Sequence, residues 1–531
     1  LGFTRQYTGA RIFKLEENYR STQMIVGAAN SLIEKNREQI RKEVFSRQDV
    51  GTPLEVVEAY SDVEEGELVA RRIGELKRRE ALSYDHFAIL YRTNAQSRIF
   101  EEALRKHGIA YRIYGGLSFY QRKEVKDVIS YFRLAVNPHD EEAFKRVINY
   151  PARGIGDTTI GKIMASASDH GVSLWTVIGD PAAYDLAVNK GTLAKLASFY
   201  NLVSRFIEQA EKIDAYELGR MVVQESGIMA DLMQDRTVEG ISRQENVQEL
   251  MDGMHDFLRS RQEEGDEKVM LTDFLSDVAL LTDQDNTEED DTPKVTLMTV
   301  HAAKGLEFDT VFIVGMEEQL FPSMMAYDST RQMEEERRLL YVAITRAEKR
   351  CQLSYAKSRF RFGKVEYGMP SRFLKDIDRG YIEMPVKDTP FKESPFGAPK
   401  SSLWGESSTP RFMSSRPAQF GTTRNPSTQS TQRTQSSQSS QSSPRTYTTP
   451  KKPVVVESPS SPRRLVSANA SGGASRVAQL TVGQFIEHER FGVGEVIRVE
   501  GAGENTKALI RFKNAGEKQL LLKFARFRVL G

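Results

Sequence analysis

The chain holds 531 residues with a mass of 60.1 kDa, and its 74 Lys and Arg nearly cancel its 73 Asp and Glu. The length suits about three domains of ordinary size, and no apolar run approaches the roughly 20 residues that a membrane-spanning helix needs, which rules out a membrane-spanning protein. The single cysteine, Cys351, excludes an internal disulfide and a multi-cysteine zinc site, and a reduced, cytoplasmic setting is expected.

The opening LGFTRQYTGARIF has neither an apolar signal segment nor an initiator methionine, and it reads as the cut edge of a longer protein. IVGAANSLIEKN (25–36) has apolar residues at helical spacing, with Ser21 and Thr22 as candidate caps. HFAILYRT (86–93) predicts a short strand. Residues 137–291 read as successive amphipathic helices, from EEAFKRVINY to LTDFLSDVALL, and close with DQDNTEEDDTP, expected to be a solvated acidic loop. VTLMTV (295–300) and TVFIVGM (310–316) are near-continuous apolar runs, the pattern of strands covered on both faces. Such strands between helical stretches predict a parallel α/β sheet. The helical unit is therefore inserted into an α/β unit, dividing it into 1–136 and 292–385.

Residues 386–477 are dominated by Ser, Thr, Gln, Pro and Arg, with 13 Lys and Arg against 4 Asp and Glu. Such a segment cannot bury enough apolar surface to offset its ordering entropy, and a disordered basic linker is predicted. From 478 to 531, short strands alternate with Gly-rich turns, as in a small β-barrel of marginal stability. The remaining residues, 1–385, carry 52 basic against 63 acidic side chains. The body is acidic and the tail basic. Any nucleic-acid contact in the body must rest on placed residues rather than on overall charge.

Three distant blocks carry the strongest local signals: LEENYRST (15–22), TLMTVHAAKGLEFDTVFIVGMEEQLFPS (296–323) and EEERRLLYVAITRAEKR (334–350). Taken singly, each has an ordinary structural reading. Tyr19 suits a core position, Arg20 and Arg346 suit surface salt bridges, and Glu307 suits a turn cap. His301 has no metal-ligating partner at useful spacing, so no metal site is expected.

Together the blocks resemble motifs IV, V and VI of superfamily 1 DNA helicases of the UvrD/PcrA/Rep type. YGGLSFYQRKEVKDVISYFRLAVNP (114–138) and NYPARGIGDTTI (149–160) extend the resemblance, which is colinear over about residues 1–375. It implies a second RecA-like motor domain (1–136 and 292–385) with an inserted all-α domain (137–291). The linker (386–477) and a Tudor-like β-barrel (478–531) complete the chain. It also implies an ATP-dependent 3′→5′ DNA helicase. Arg20 and Arg346 would meet the γ-phosphate, Tyr19 would stack on adenine, and Glu307 would hydrogen-bond the ribose. The expected cofactors are ATP and Mg²⁺. The expected partners are single-stranded and duplex-junction DNA.

By the same resemblance, His301 and Lys304 contact the single strand. Arg122 is either a further strand contact or a helix-surface arginine paired with Asp127 or Glu124. Arg153, Gly154, Ile155, Gly156 and Thr158 form an element that meets the duplex backbone without reading bases. ERFGVGEVIRVEG and KFARFRVL resemble the C-terminal barrel of these helicases, for which RNA polymerase is the implied partner. Phe491, Phe512, Phe524 and Phe527 are read as its core rather than a recognition cage. The linker is either a passive tether or a source of non-specific DNA affinity.

The chain has no GxxxxGK[ST] phosphate cradle. The metal ligands and the cradle are therefore expected in a preceding domain, and the chain alone is expected to be inactive as an ATPase. A non-catalytic DNA- or polymerase-binding module is the alternative.

Overall fold

A parallel sheet needs apolar strands whose two faces are both covered, and the pattern of this chain meets that demand. The structure, a computed structural model, describes residues 6–7, 9–11, 13–39, 42–285, 292–361, 363–385 and 480–530. The predicted linker 386–477 lies outside the described residues, as do 286–291 of the acidic stretch.

The first elements are β1 (Glu17–Asn18), α1 (Gln23–Ile33), β2 (Phe45–Ser46), β3 (Leu54–Ser61), α2 (Asp62–Glu80), β4 (Phe87–Tyr91), α3 (Ser97–Lys106) and β5 (Tyr111–Ile113). Among the described residues, only helices and turns then follow until the next strand: α4 (Lys123–Val136), α5 (Glu141–Val147), α6 (Asp157–His170), α7 (Leu174–Gly179), α8 (Lys190–Gln209), α9 (Ala215–Glu225), α10 (Ile228–Leu232), α11 (Val238–Glu264) and α12 (Leu271–Asp285). The sheet resumes with β6 (Val295–Thr299), β7 (Phe308–Ile313), α13 (Thr330–Ile344), β8 (Ala347–Arg361), β9 (Lys364–Tyr367), α14 (Phe373–Asp376) and β10 (Ile382–Glu383).

The strands lie in the order β10-β3-β8-β7-β4-β6-β5, all parallel, with β9 antiparallel on β8. Successive side chains alternate between the faces. Ala88, Leu90, Met298, Val311 and Ile313 face the layer holding α1 and α13. Phe87, Ile89, Tyr91, Leu297 and Phe312 face α2 and α3. Helices on both faces explain why these strands read as continuous apolar runs.

The helical core begins earlier than residue 137. Phe119, Val125, Val128 and Phe132 share one core with Phe144, Leu196, Phe206 and Met254. The Asn-Pro pair at 137–138 is a local break, yet the apolar face of α4 packs on the helices that follow it. Thr22 is the N-cap of α1, but its side chain makes no capping bond.

The C-terminal strands are β11 (Phe485–His488), β12 (Gly492–Glu500), β13 (Lys507–Phe512), β14 (Gly516–Leu521) and β15 (Phe527–Leu530). They form an antiparallel sheet in the order β14-β13-β12-β11-β15. Phe512 lies in its core, Phe491 and Phe527 pack against that core, and Phe524 is half-buried outside it. At Gly494 an added Cβ would come within 2.6 Å of Phe512, so a glycine is needed there.

Buried charge on α11 yields a stability prediction. Asp252 is only 3% exposed and accepts a bond from Gln248 Nε2 at 2.9 Å. Burial first, and the nearby Glu249 carboxylate second, push its pKa up to about 8. A carboxyl raised in the folded state retains a proton that the unfolded chain releases near pH 4, so its contribution to stability declines between pH 4 and 8. Asp252→Asn should therefore stabilise the chain at pH 8 by on the order of a few kcal/mol and by little near pH 4. Urea denaturation at the two pH values measures this, and equal effects at both would refute it.

Candidate functional site

The parallel pairing of β7 with β8 sets Phe308 beside Ala347, and Phe308 N–H donates to Arg346 O at 3.0 Å. The residues just before the two strands, Glu307 and Arg346, are thereby neighbours. The third member comes from the turn before α1. Asn18 Oδ1 accepts from the Arg20 and Ser21 N–H groups at 2.8 and 2.9 Å, which shapes that turn. Ser21 Oγ donates to Ala347 O at 2.7 Å, and Thr22 N–H donates to Glu348 O at 3.0 Å. Ser21, expected as a cap, instead fastens the turn to β8.

Arg20 and Arg346 converge on Thr345. Arg20 donates through Nη1 to Thr345 O at 3.2 Å and through Nε to Glu307 Oε2 at 2.5 Å. Arg346 donates through Nη2 to Thr345 Oγ1 at 3.1 Å, through Nη1 to Leu306 O at 3.0 Å and through Nε to Val342 O at 3.1 Å. Partial burial, and then the charge of Arg20 beside it, lower the Arg346 pKa, while Glu307 opposes the shift. Two cations held this close in one wall favour an anion in front of them. Tyr19 is 74% exposed, and its hydroxyl donates to Glu17 at 3.0 Å. That bond and the Glu17 charge raise its pKa.

Tyr19, Arg20 and Glu307 border an open cleft of about 870 Å³, whose lining includes Gln48 and Lys349, while Arg346 lies behind that wall with its guanidinium turned to the Thr345, Leu306 and Val342 oxygens. Gln48 Nε2 donates to Tyr19 O at 2.6 Å, and Lys349 pairs with Asp309 at 2.6 Å. Neither was singled out from the sequence, although Lys349 lies within the TRAEK block. The site is at the amino ends of β7 and β8, opposite to the carboxyl-end crevice that ligands usually occupy in parallel sheets.

His301 and Lys304 are exposed on the connection from β6 to β7. Partial burial, and then the Arg92 guanidinium, hold the His301 pKa below its ordinary value. Arg92 is itself fixed by a two-pronged pair with Glu336, down to 2.6 Å.

Arg122 is buried. It donates to Asn94 O at 2.9 Å, Asn246 Oδ1 at 2.8 Å and Ser97 Oγ at 2.6 Å, and lies 5.2 Å over the Phe119 ring. The pairing with Asp127 or Glu124 anticipated from the sequence does not form. Asp127 pairs with Arg146, and Glu124 accepts from Asn246. Those partners lie on α5 and α11, beyond the reach of helical spacing. The Arg122 guanidinium can reach a strand only by giving up these bonds.

Around residues 153–158, Arg153 points inward, donating to Tyr131 Oη at 2.7 Å and to Ser226 O at 3.1 Å. Ile155 is fully buried, whereas Gly154, Gly156 and Thr158 are exposed at the start of α6. Gly154 adopts φ +69°, and its carbonyl accepts from Lys195 at 3.1 Å. Among the described residues there is no group of three or more His, Cys, Asp or Glu that could hold a metal ion, and no helix long and apolar enough to cross a membrane.

Residues 13–358 match the family described as the UvrD-like helicase C-terminal domain, and the chain belongs to that family. Residues 482–527 match the PcrA/UvrD tudor domain. The chain is 40% identical over 385 residues to the ATP-dependent DNA helicase PcrA of Staphylococcus aureus, covering 72% of this chain and 52% of that protein. It is 33% identical over 528 residues to the ATP-dependent DNA helicase PcrA of Leuconostoc citreum, covering 99% of this chain and 64% of that one. Against DNA helicase II of Escherichia coli it is 33% identical over 530 residues, covering 99% and 62%. The chain thus spans 52% to 64% of the length of these relatives.

The junction that assembles the cleft can be tested directly. Ser21 is fully buried, so Ser21→Ala deprives the Ala347 carbonyl of a donor away from water. The expected cost is about 1–3 kcal/mol in chemical denaturation. An unchanged midpoint would mean that the backbone bond from Thr22 suffices to hold the turn.

Proposed function

We propose that this chain is the C-terminal portion of an ATP-dependent DNA helicase: a second RecA-like motor domain with a helical domain inserted in it, then the linker and the tudor barrel. Its translocation runs 3′→5′ on single-stranded DNA at a duplex junction. The relatives' names supply the words ATP-dependent and DNA helicase. The observation that carries the reading is the convergence of Arg20 and Arg346 on Thr345, with Glu307 beside them, at the wall of a cleft that Arg20 and Glu307 line.

Two guanidiniums over one threonine suit the charge spread across a transferring phosphoryl group, because each planar fork stays charged and binds phosphate oxygens in pairs. Arg20 and Arg346 are assigned to the γ-phosphate, Tyr19 to the adenine face and Glu307 to the ribose hydroxyl. Arg20 and Glu307 occupy each other at 2.5 Å, so both assignments require that pair to open. ATP with Mg²⁺ supplies the transferable phosphoryl group. The cradle and the metal ligands are assigned to a further domain, because this sequence has no GxxxxGK[ST]. His301 and Lys304 are assigned to the single strand. Gly154, Gly156 and Thr158 at the start of α6 are assigned to the duplex backbone, with Arg153 and Ile155 positioning that turn from inside. RNA polymerase as a partner of the barrel rests on the family resemblance alone.

The test is phosphate release with and without single-stranded DNA, on this chain alone and on the same chain joined to a cradle-bearing ATPase domain of its family. The chain alone should be silent, and the joined protein should turn over in response to DNA. Arg346→Ala in the joined protein should lower kcat by on the order of 10³ with a much smaller change in KM. Near-normal turnover of that variant would remove Arg346 from the reaction. Silence of a folded joined protein would favour a non-catalytic DNA- or polymerase-binding module.

A further inference from the structure

The tudor barrel is seated against the rest of the chain at the seam between the parallel sheet and the long helix α11. On the sheet side, Ser61 Oγ donates to Arg490 O at 2.9 Å, and Arg71 Nη1 donates to Asn514 O at 2.7 Å. Gly492, at φ +70°, lies against Tyr60, at a distance where an added Cβ would make ordinary contact with the Tyr60 Cβ. On the helix side, Arg259 pairs with Glu489 at 2.9 Å, and Glu263 faces His488 at 3.3 Å and Arg490 at 3.5 Å. Lys523 reaches Glu267 at 3.7 Å. One turn of the barrel, His488 to Gly492, therefore touches both bodies at once.

The chemistry of this seam is that of a separable contact. His488 is fully buried, and its Nδ1 accepts from the Arg490 N–H at 3.2 Å, which leaves Nε2 to carry the proton towards Glu263. Burial alone would raise the Glu263 carboxyl; the His488 and Arg490 contacts, and then Arg259, outweigh it and hold its pKa below the usual range. Yet Arg259 Nη2, Glu263 Oε1, His488 Nε2 and Arg490 Nε are all buried without a well-directed hydrogen bond. Ion pairs and the hydrogen bonds from Ser61, Arg71 and Arg259 hold the seam, and each imperfectly paired group subtracts from it. Relative motion is the default between domains of one chain unless a large hydrophobic interface joins them, and the contacts named here are polar.

We propose that the His488–Gly492 turn of the barrel is a reversible intramolecular clamp, whose partner is the chain's own seam between Tyr60–Ser61 and Arg259–Glu263. When docked it ties the helical segment to the sheet, and it withholds that turn from any other molecule. Releasing the barrel both exposes the turn and removes a strut between the two bodies.

The experiment uses the intact chain. A carbodiimide should join Lys523 to Glu267, a link that mass spectrometry identifies, and amide exchange should be slow at 488–492 and at 259–264. Glu263→Arg and Arg490→Glu should each reduce the link and speed exchange at both places by on the order of tenfold. The double variant Glu263→Arg/Arg490→Glu, with the charges swapped, should restore both. Glu489→Arg, on the open rim of the seam, provides a variant that leaves the barrel core alone and should weaken the link in the same direction. Protected amides at Val496 and Ile510 report that the barrel remains folded. The clamp is overturned by a folded wild-type barrel without the link. It is equally overturned if all three single variants keep wild-type link and exchange.

Discussion

The side-by-side pairing of β7 and β8 is the constraint on which the candidate site rests. Because the strands are parallel and pair Phe308 with Ala347, just before a register shift that sets Thr310 opposite Arg350, the residues preceding both strands are brought together. Glu307 and Arg346 are 39 positions apart in sequence and neighbours in space for that reason alone. Ser21 and Thr22 then hook the Arg20 turn onto the same end of β8. An antiparallel pairing would carry Arg346 to the far end of β7, away from Glu307. The apolar runs that secure the register are thus as much a part of the site as the arginines.

Buried ion clusters bind the other parts to this sheet. Arg359 on β8 pairs with Glu317 at 2.7 Å and Glu65 at 2.8 Å. Arg98 on α3 pairs with Glu249 at 2.7 Å and Glu102 at 2.9 Å, and faces Asp256 at 3.5 Å. Gly253 leaves room for that guanidinium, since a Cβ there would lie 2.9 Å from it. Such pairs add little net stability compared with apolar packing of the same volume, but removing one partner strands a charge. The Arg98 cluster specifies how α11 lies against α3. Helix α11, one turn further on, meets the barrel.

The sequence made the sheet legible and left these clusters hidden, for a physical reason. Residues 295–300 and 310–316 announce buried strands because each residue's surroundings are apolar on either face. The helical stretches 158–170 and 244–262 follow from spacing along one element. Arg122, by contrast, is defined by Asn94, Ser97 and Asn246, and nothing in its local pattern points to them. The helical core likewise begins with Phe119 because the α4 face turns towards helices still to come, which a break at residues 137–138 conceals. The grouping of Arg20, Arg346 and Glu307 came from resemblance to a family. Composition and periodicity alone had left each an ordinary surface residue.

The connection from β6 to β7 does more than join two strands. Thr299 is level with Tyr91 at the carboxyl ends of the strands, while Phe308 begins β7 at their amino ends, two residues before the Thr310 that pairs with Phe87. Eight residues therefore descend the whole height of the sheet, roughly 20 Å for six residues of strand. His301 and Lys304 come early in that descent and Glu307 at its foot, with Ala303 pinned in the core between them. The segment covers that distance without being drawn tight, because Ala302 and Ala303 N–H donate back to Thr299 O and Leu306 N–H donates to Ala303 O, which coils it into turns. Those turn bonds, with Ala303 as their buried anchor, set the spacing between His301 and Glu307, and lengthening the segment by a few residues would leave both ends intact and uncouple them.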